Sequence, residues 1–149
     1  IVFFDSTVLV GAMVEDEQHH ESCVRALEST EKGFAALHSV AECYATLTGE
    51  NWGYNIPADA AQLIRHNIYE RLSLVSLSPL QYMRLIEDAG PAGARGGAIY
   101  DMLLLACARK VKARRISTLN DRHFRALAPD IADRVVFPEA ESSNMVRHQ

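Results

Sequence analysis

The chain alternates short, wholly apolar runs with longer segments whose apolar residues recur at helical spacing. Ile1-Val2-Phe3-Phe4 is β-branched or aromatic throughout and stops at Asp5-Ser6-Thr7, which predicts a buried strand and then a capped helix over residues 8–14. Cys23, Val24 and Leu27 give a second helix its apolar stripe across 19–27. Gly33 to His38 predicts a second strand, after which Ser39 opens a helix from Val40 to Leu47 closed by Gly49. Asn51 to Asn55 with Pro57 predicts a loop, and Ala60, Leu63, Ile64, Ile68 and Leu72 mark one side of a helix over 59–72. A third strand is predicted at 74–77, then a helix to Ala89 with Pro79 in its first turn, then a Gly- and Pro-rich loop over 90–97. The rest reads as a long apolar helix from Ala98, a strand over 115–119, a turn or cap at Asn120-Asp121, a short helix over 122–127 and a last strand at Val135-Val136-Phe137. Short strands alternating with helices predict an α/β sandwich on a mainly parallel sheet. One domain over 1–138 is expected, followed by a polar tail at 139–149.

Within the helix from Ala98, one residue is out of keeping with its neighbours. Asp101 leaves from the side that also carries Leu104 and Leu105, a surface that otherwise wants burial. An unpaired carboxylate there costs several kcal/mol unless it protonates, meets a cation or accepts hydrogen bonds. A structural ion pair answers that cost as well as a metal ion does.

Composition narrows the partners. Apolar residues make up 48% and charged residues 23% of the chain, which excludes a disordered polyelectrolyte. Apolar runs fall well short of the roughly 18 residues of a membrane span, and the chain opens on Ile1 without a basic-then-apolar leader, so a soluble cytoplasmic protein is expected. Three widely spaced cysteines with no C-x-x-C pair suit reduced thiols. The adjacent His19 and His20 point to different helix faces and do not suit one shared metal. The net charge of −4 argues against binding phosphate through a generally basic surface. Acids clustered around divalent cations would reverse that field locally. Arg109-Lys110-Val111-Lys112-Ala113-Arg114-Arg115 reads as a solvated helix end near the negative dipole pole, or as a surface that tracks phosphate at a distance from the acids.

Sites in open parallel sheets form beyond the carboxyl ends of the strands. Asp5 follows the first strand, Glu42 lies a few residues past the second, Asn120-Asp121 follow the fourth, and the helix of Asp101 can present it at the same edge. Each acid also has a structural alternative. Asp5 can cap a helix, Ser39-Val40-Ala41-Glu42 matches a capping box, and Asn120 or Asp121 can cap the short helix.

Four blocks in this order carry a family resemblance: Ile1-Val2-Phe3-Phe4-Asp5-Ser6-Thr7, Ser39-Val40-Ala41-Glu42-Cys43-Tyr44, Ala98-Ile99-Tyr100-Asp101, and Ser117-Thr118-Leu119-Asn120-Asp121-Arg122-His123-Phe124. Together they resemble a PIN domain, and within that family the VapC-type toxins of prokaryotic toxin–antitoxin pairs. The resemblance implies a PIN-like α/β/α sandwich and a metal-dependent endoribonuclease. It implies that Asp5, Glu42 and Asp101 hold Mg²⁺ or Mn²⁺ and act in catalysis. In the fourth block either Asp121 supplies a fourth acid or Asn120 takes a neutral place in the site, and Asp121 with Asn120 and Thr118 would complete the shell or position phosphate. The fourth block departs from the family's usual Thr-x-Asn-x-x-acid-Phe run, because His123 stands where an acid is common. The implied partners are RNA, a small antitoxin and a second copy of the chain. Two rivals remain: a PIN-like module that binds RNA or protein without catalysis, and a haloacid dehalogenase-like phosphatase, whose usual second Asp is replaced here by Thr7.

Overall fold

The computed structural model describes residues 1–49 and 57–139. Five strands, β1 (Val2–Phe4), β2 (Gly33–Ala36), β3 (Ser73–Val75), β4 (Arg115–Ser117) and β5 (Val135–Val136), form one sheet in the order β3-β2-β1-β4-β5. Every pairing is parallel, with Phe3 opposite Phe34 on one side and opposite Ile116 on the other. Going along the chain, the sheet grows outward from β1 to β3, then crosses back and grows the other way through β4 and β5. The reversal falls between β1 and β4, which is where an open parallel sheet leaves a crevice at its carboxyl edge.

Alternation along the short strands assigns side chains to two cores. Phe4 and Ala35 enter one, with residues of α1 (Ser6–Met13), α2 (His20–Glu28), α3 (Leu37–Leu47) and α4 (Pro57–Ile64). Phe3 and Ala36 enter the other, with residues of α5 (Pro79–Ala89), α6 (Ala98–Lys110) and α7 (Asp121–Leu127). Neighbouring residues of an extended strand face opposite ways, so a strand buried on both faces must be apolar without interruption. That is why Val2-Phe3-Phe4 shows no polar alternation. The helices cover both faces, giving an α/β/α sandwich.

Local chemistry sets several boundaries. Ser78 caps α5 in a reciprocal capping box with Gln81, and Pro79 fills the first turn, where no amide donor is needed. Past α4 the helix widens into a π-type turn over Arg65–Tyr69, so the segment predicted as one helix to Leu72 ends earlier. A short 3-10 segment, Pro129–Arg134, leads into β5. The second strand also ends before the predicted His38: Ala36 is its last paired residue, and Leu37 and His38 already belong to α3. Ala36, with extended backbone, stands at the cap position, so Ser39 lies inside the helix and forms no capping box with Glu42. The strand over 115–119 likewise stops at Ser117. The predicted loop at 51–55 and the tail beyond Glu139 lie outside the described residues.

All three cysteines are buried and free. Burial pushes the thiols of Cys23 and Cys43 up to about 12 and that of Cys107 up to about 11, so they stay protonated at neutral pH. None of the described helices is long and apolar enough to cross a membrane.

Contact between α1 and α2 depends on Gly11. A β-carbon there would lie 2.7 Å from Cys23 Sγ and 3.4 Å from Cys23 Cβ. For Gly11→Ala, helix propensity offers about 1 kcal/mol, while overpacking a filled core costs about 1–3 kcal/mol. Denaturant titration is expected to show a net loss, and the loss should shrink when Cys23→Ala supplies the missing space. An equal effect of Gly11→Ala in both backgrounds would contradict this close approach.

Candidate active site

The crevice at the β1/β4 reversal is built around Asp5. Its backbone N–H donates to Ser117 O at 2.9 Å, carrying the β1–β4 pairing one residue past the strand and fixing where the side chain starts. The carboxyl is 3% exposed and makes no capping bond to α1. Oδ2 instead accepts from Thr7 Oγ1 at 2.6 Å and Thr118 Oγ1 at 2.7 Å. Each threonine hydroxyl is used a second time, as acceptor: Leu119 N–H donates to Thr7 Oγ1 at 3.0 Å and Asn120 N–H to Thr118 Oγ1 at 2.9 Å. Two hydroxyls thus staple the turn after β4 to the carboxylate after β1.

Glu42 enters from the second turn of α3. Its Oε1 accepts from Ser6 Oγ at 3.2 Å, and Ser6 Oγ is also hydrogen-bonded at 2.8 Å to the buried Ser39. His38, one turn earlier, places Nε2 3.5 Å from the same carboxylate oxygen. Asp101 enters from the first turn of α6, with His123 Nε2 of α7 3.0 Å from its Oδ2. The Glu42 and Asp101 side chains keep about a third of their surface open, 33% and 29%.

All three carboxyls are held above the usual carboxylate range, and burial is the main cause in each. The hydroxyls of Thr7 and Thr118 work against it at Asp5. His38 and Ser6 oppose it at Glu42, where the charges of Asp5 and Asp101 add to it. At Asp101 the charge of Asp5 raises the value further and His123 lowers it. The three acids are therefore close enough to repel one another. Among the described residues, no three of His, Cys, Asp and Glu are gathered tightly enough to share one ion as they stand. The donor chemistry nevertheless fits a hard divalent cation: three mutually destabilised carboxylates at one edge, with oxygen the only ligand atom they offer.

Residues 2–129 match the family described as PIN domain. The chain belongs to the PIN-domain family. A search of curated proteins found no significant match. Among solved structures, this PIN domain is similar to VapC20 of Mycobacterium tuberculosis, described as a Sarcin-Ricin loop cleaving toxin, with a TM-score of 0.65 and 12% identity over 78% of this chain and 87% of that one. VapBC2 from Rickettsia felis, bound to a DNA fragment from its promoter, matches with a TM-score of 0.63 and 16% identity over 93% and 98% of the two chains. FitAcB from Neisseria gonorrhoeae matches with a TM-score of 0.59 and 18% identity over 92% and 96%. At these identities the likeness is one of fold.

The other sequence-selected residues are placed differently. Asp121 turns along its own helix to accept from Arg125 Nη1 at 2.7 Å, and Arg125 also donates to Val135 O at 3.0 Å, tying α7 to β5. Thr118 is fully buried and acts on Asp5 and on the turn. Asn120 is exposed at the cap position of α7, and its side chain makes no capping bond. In the basic run, Arg109 pairs with Asp130, and Lys110 donates to Ser76 O at 2.8 Å and Gln81 Oε1 at 3.0 Å. Those two cations serve the fold. His19 and His20 also part, the first edge-on to Phe137 and the second with Nδ1 2.8 Å from Gly11 O. The site residues the sequence reading did not assign are Ser6, Thr7, Ser39, His38 and His123. His123 was visible as a break in the fourth block, and His38 as an imidazole four residues before Glu42.

A proton is held more tightly by Asp5 in the folded protein than in the unfolded chain. Its contribution to stability is therefore complete below the ordinary carboxylate value near pH 4 and is lost as pH rises through the raised folded value. Asp5→Asn removes that dependence, because an amide oxygen can accept from both threonines without carrying charge. In chelating buffer, the Tm of the Asn variant should match the wild type near pH 4 and exceed it increasingly toward pH 7.5, by about 2–4 °C for each kcal/mol relieved. A difference that stays constant with pH, or a wild type that is the more stable at pH 7.5, would refute a penalised charge at Asp5.

Proposed function

We propose that this PIN domain is a metal-dependent endoribonuclease and the toxin of a toxin–antitoxin pair. The observation that carries the reading is the convergence of Asp5, Glu42 and Asp101 from three elements on the carboxyl edge of the sheet, close enough that their charges disfavour one another. Like charges assembled at a stability cost suit a site whose compensation is a bound cation. Mg²⁺ or Mn²⁺ bound there would supply an activated water and neutralise charge on the phosphoryl oxygens.

The protein's own contribution is placement. Asp5 is held rigidly by its two threonines, a fixed anchor for the ion. Glu42 and Asp101 are the more open carboxylates, free to close on the ion or to orient a water. His38 and His123 hold these two in reach and, with Ser6, set their direction. In this reading His123 takes the place beside Asp101 that an acid fills in the usual family pattern, and Asp121 serves α7.

The phosphatase alternative has little to stand on, since Thr7 occupies the place of its second acid and spends its hydroxyl on Asp5. Two of the similar structures, VapBC2 and FitAcB, carry names of paired systems, which supports a small antitoxin as partner; a homodimer is part of the same proposal.

The test uses the folded chain, free of antitoxin, incubated with total RNA and Mg²⁺ or Mn²⁺. Discrete cleavage is expected, abolished by chelator and reduced 100-fold or more by Asp101→Asn, beyond the roughly 10–100-fold that follows loss of an outer-shell partner. Absence of cleavage with every RNA class and both ions would replace the nuclease with the non-catalytic binding module.

A further inference from the structure

Beside the carboxylates lies a feature that neither metal nor catalysis explains. The first turns of α3 and α6 come together there, and each contributes a ring. His38 and Tyr100 are parallel to within 6°, with centroids 5.1 Å apart, an offset stack. Tyr100 is nonetheless 50% exposed. The imidazole lies along one ring face, and half of the residue's surface stays open to solvent. The pair bridges two of the three acids: His38 Nε2 is 3.5 Å from Glu42 Oε1, and Tyr100 directly precedes Asp101 on the first turn of α6.

We propose that the Tyr100–His38 stack is a base-stacking subsite, on which an unpaired nucleobase next to the scissile phosphate lies flat against Tyr100. The inference rests on the nuclease reading and adds to it how the strand is held. A protein of net charge −4 has little general attraction for phosphate, so orientation must come from another source. Stacking on an aromatic face supplies it without charge, and every base has such a face. The geometry fits a single strand with splayed bases. A base locked in a duplex offers no face to an exposed ring. The same platform orients the nucleotide relative to the acids, because His38 is held by Glu42 and Tyr100 is fixed in the backbone beside Asp101. Tyr100 is thus a positioning residue, with no part in the bond-breaking step.

The test is cleavage kinetics on a short single-stranded RNA containing one mapped cleavage site, with abasic nucleotides substituted in turn on either side of it. For the wild type, one flanking position should be penalised, with KM rising about tenfold when its base is removed. Tyr100→Leu, which keeps apolar bulk, should raise KM by a similar factor on intact RNA with a much smaller change in kcat. It should show no further loss on the abasic substrate, and Tyr100→Phe should behave as wild type. 2-Aminopurine at the penalised position should be quenched on binding wild type and not on binding Tyr100→Leu. Cleavage by the wild type with no penalised position, or a Leu variant with wild-type KM, removes the subsite and leaves the nuclease standing. A Leu variant impaired only in binding a protein partner assigns the platform to that partner and also overturns the proposal. No cleavage by the wild type at all removes both readings.

Discussion

The burial of one carboxylate, Asp5, at the point where the sheet reverses direction organises the rest of the site. A charge 3% exposed between two cores can persist only if hydrogen bonds or a cation compensate it. Two threonine hydroxyls do part of this, from Thr7 on the following helix and Thr118 just past the neighbouring strand β4, 111 positions apart in sequence. Because those hydroxyls also accept the amides of Leu119 and Asn120, the turn after β4 takes its shape from the carboxylate after β1. The compensation is incomplete. Burial still holds Asp5 above the usual range, and its charge is felt at Glu42 and Asp101. Local order and mutual repulsion come from the same residue.

Much of the fold was legible because two periodicities are hard to confuse. The uninterrupted Val2-Phe3-Phe4 run and the Gly33–Ala36 run marked strands buried on both faces, and the sheet has both of them side by side in parallel. Boundaries were less legible where a short strand runs straight into a helix. Nothing in Leu37-His38 distinguishes extended from helical backbone; what ends β2 is the end of its pairing with β3 at Val75. Ser39 illustrates the same difficulty. Its spacing from Glu42 matches a capping box, yet the helix starts two residues before it, at Leu37, and the hydroxyl is drawn inward to Ser6.

In the site, sequence order placed four acidic stretches at the carboxyl edge of the sheet, and the family resemblance singled out the three whose charges act on one another. It could not identify their partners, which come from packing between elements. His123 reaches Asp101 from a different helix, and His38 stacks on Tyr100 across the crevice. Asp121, the acid of the fourth block, is claimed by Arg125 four residues on, a local pairing that helix geometry makes cheap. Spacing left open whether Asp121 or a neutral Asn120 completes that block, and the direction of the Asp121 side chain is what the structure adds.

The imidazoles also change what kind of site this is. A cluster made only of carboxylates would repel RNA phosphate as well as itself until a cation bound. Here two of the three acids each have a histidine within 3.5 Å, so part of the mutual repulsion is relieved by neighbours that can donate a hydrogen bond whatever their charge. The basic run contributes less than its count suggests, because Arg109 and Lys110 are committed to Asp130, Ser76 and Gln81. With those cations engaged in the fold and the carboxyl edge acidic, the surface beside the crevice is most distinctive for its exposed aromatic ring. Under the proposed nuclease reading, a negatively charged protein would hold a negatively charged strand through a cation for the phosphate and a flat apolar face for the base, and Asp101 and Tyr100 stand next to each other for those two tasks on the first turn of one helix.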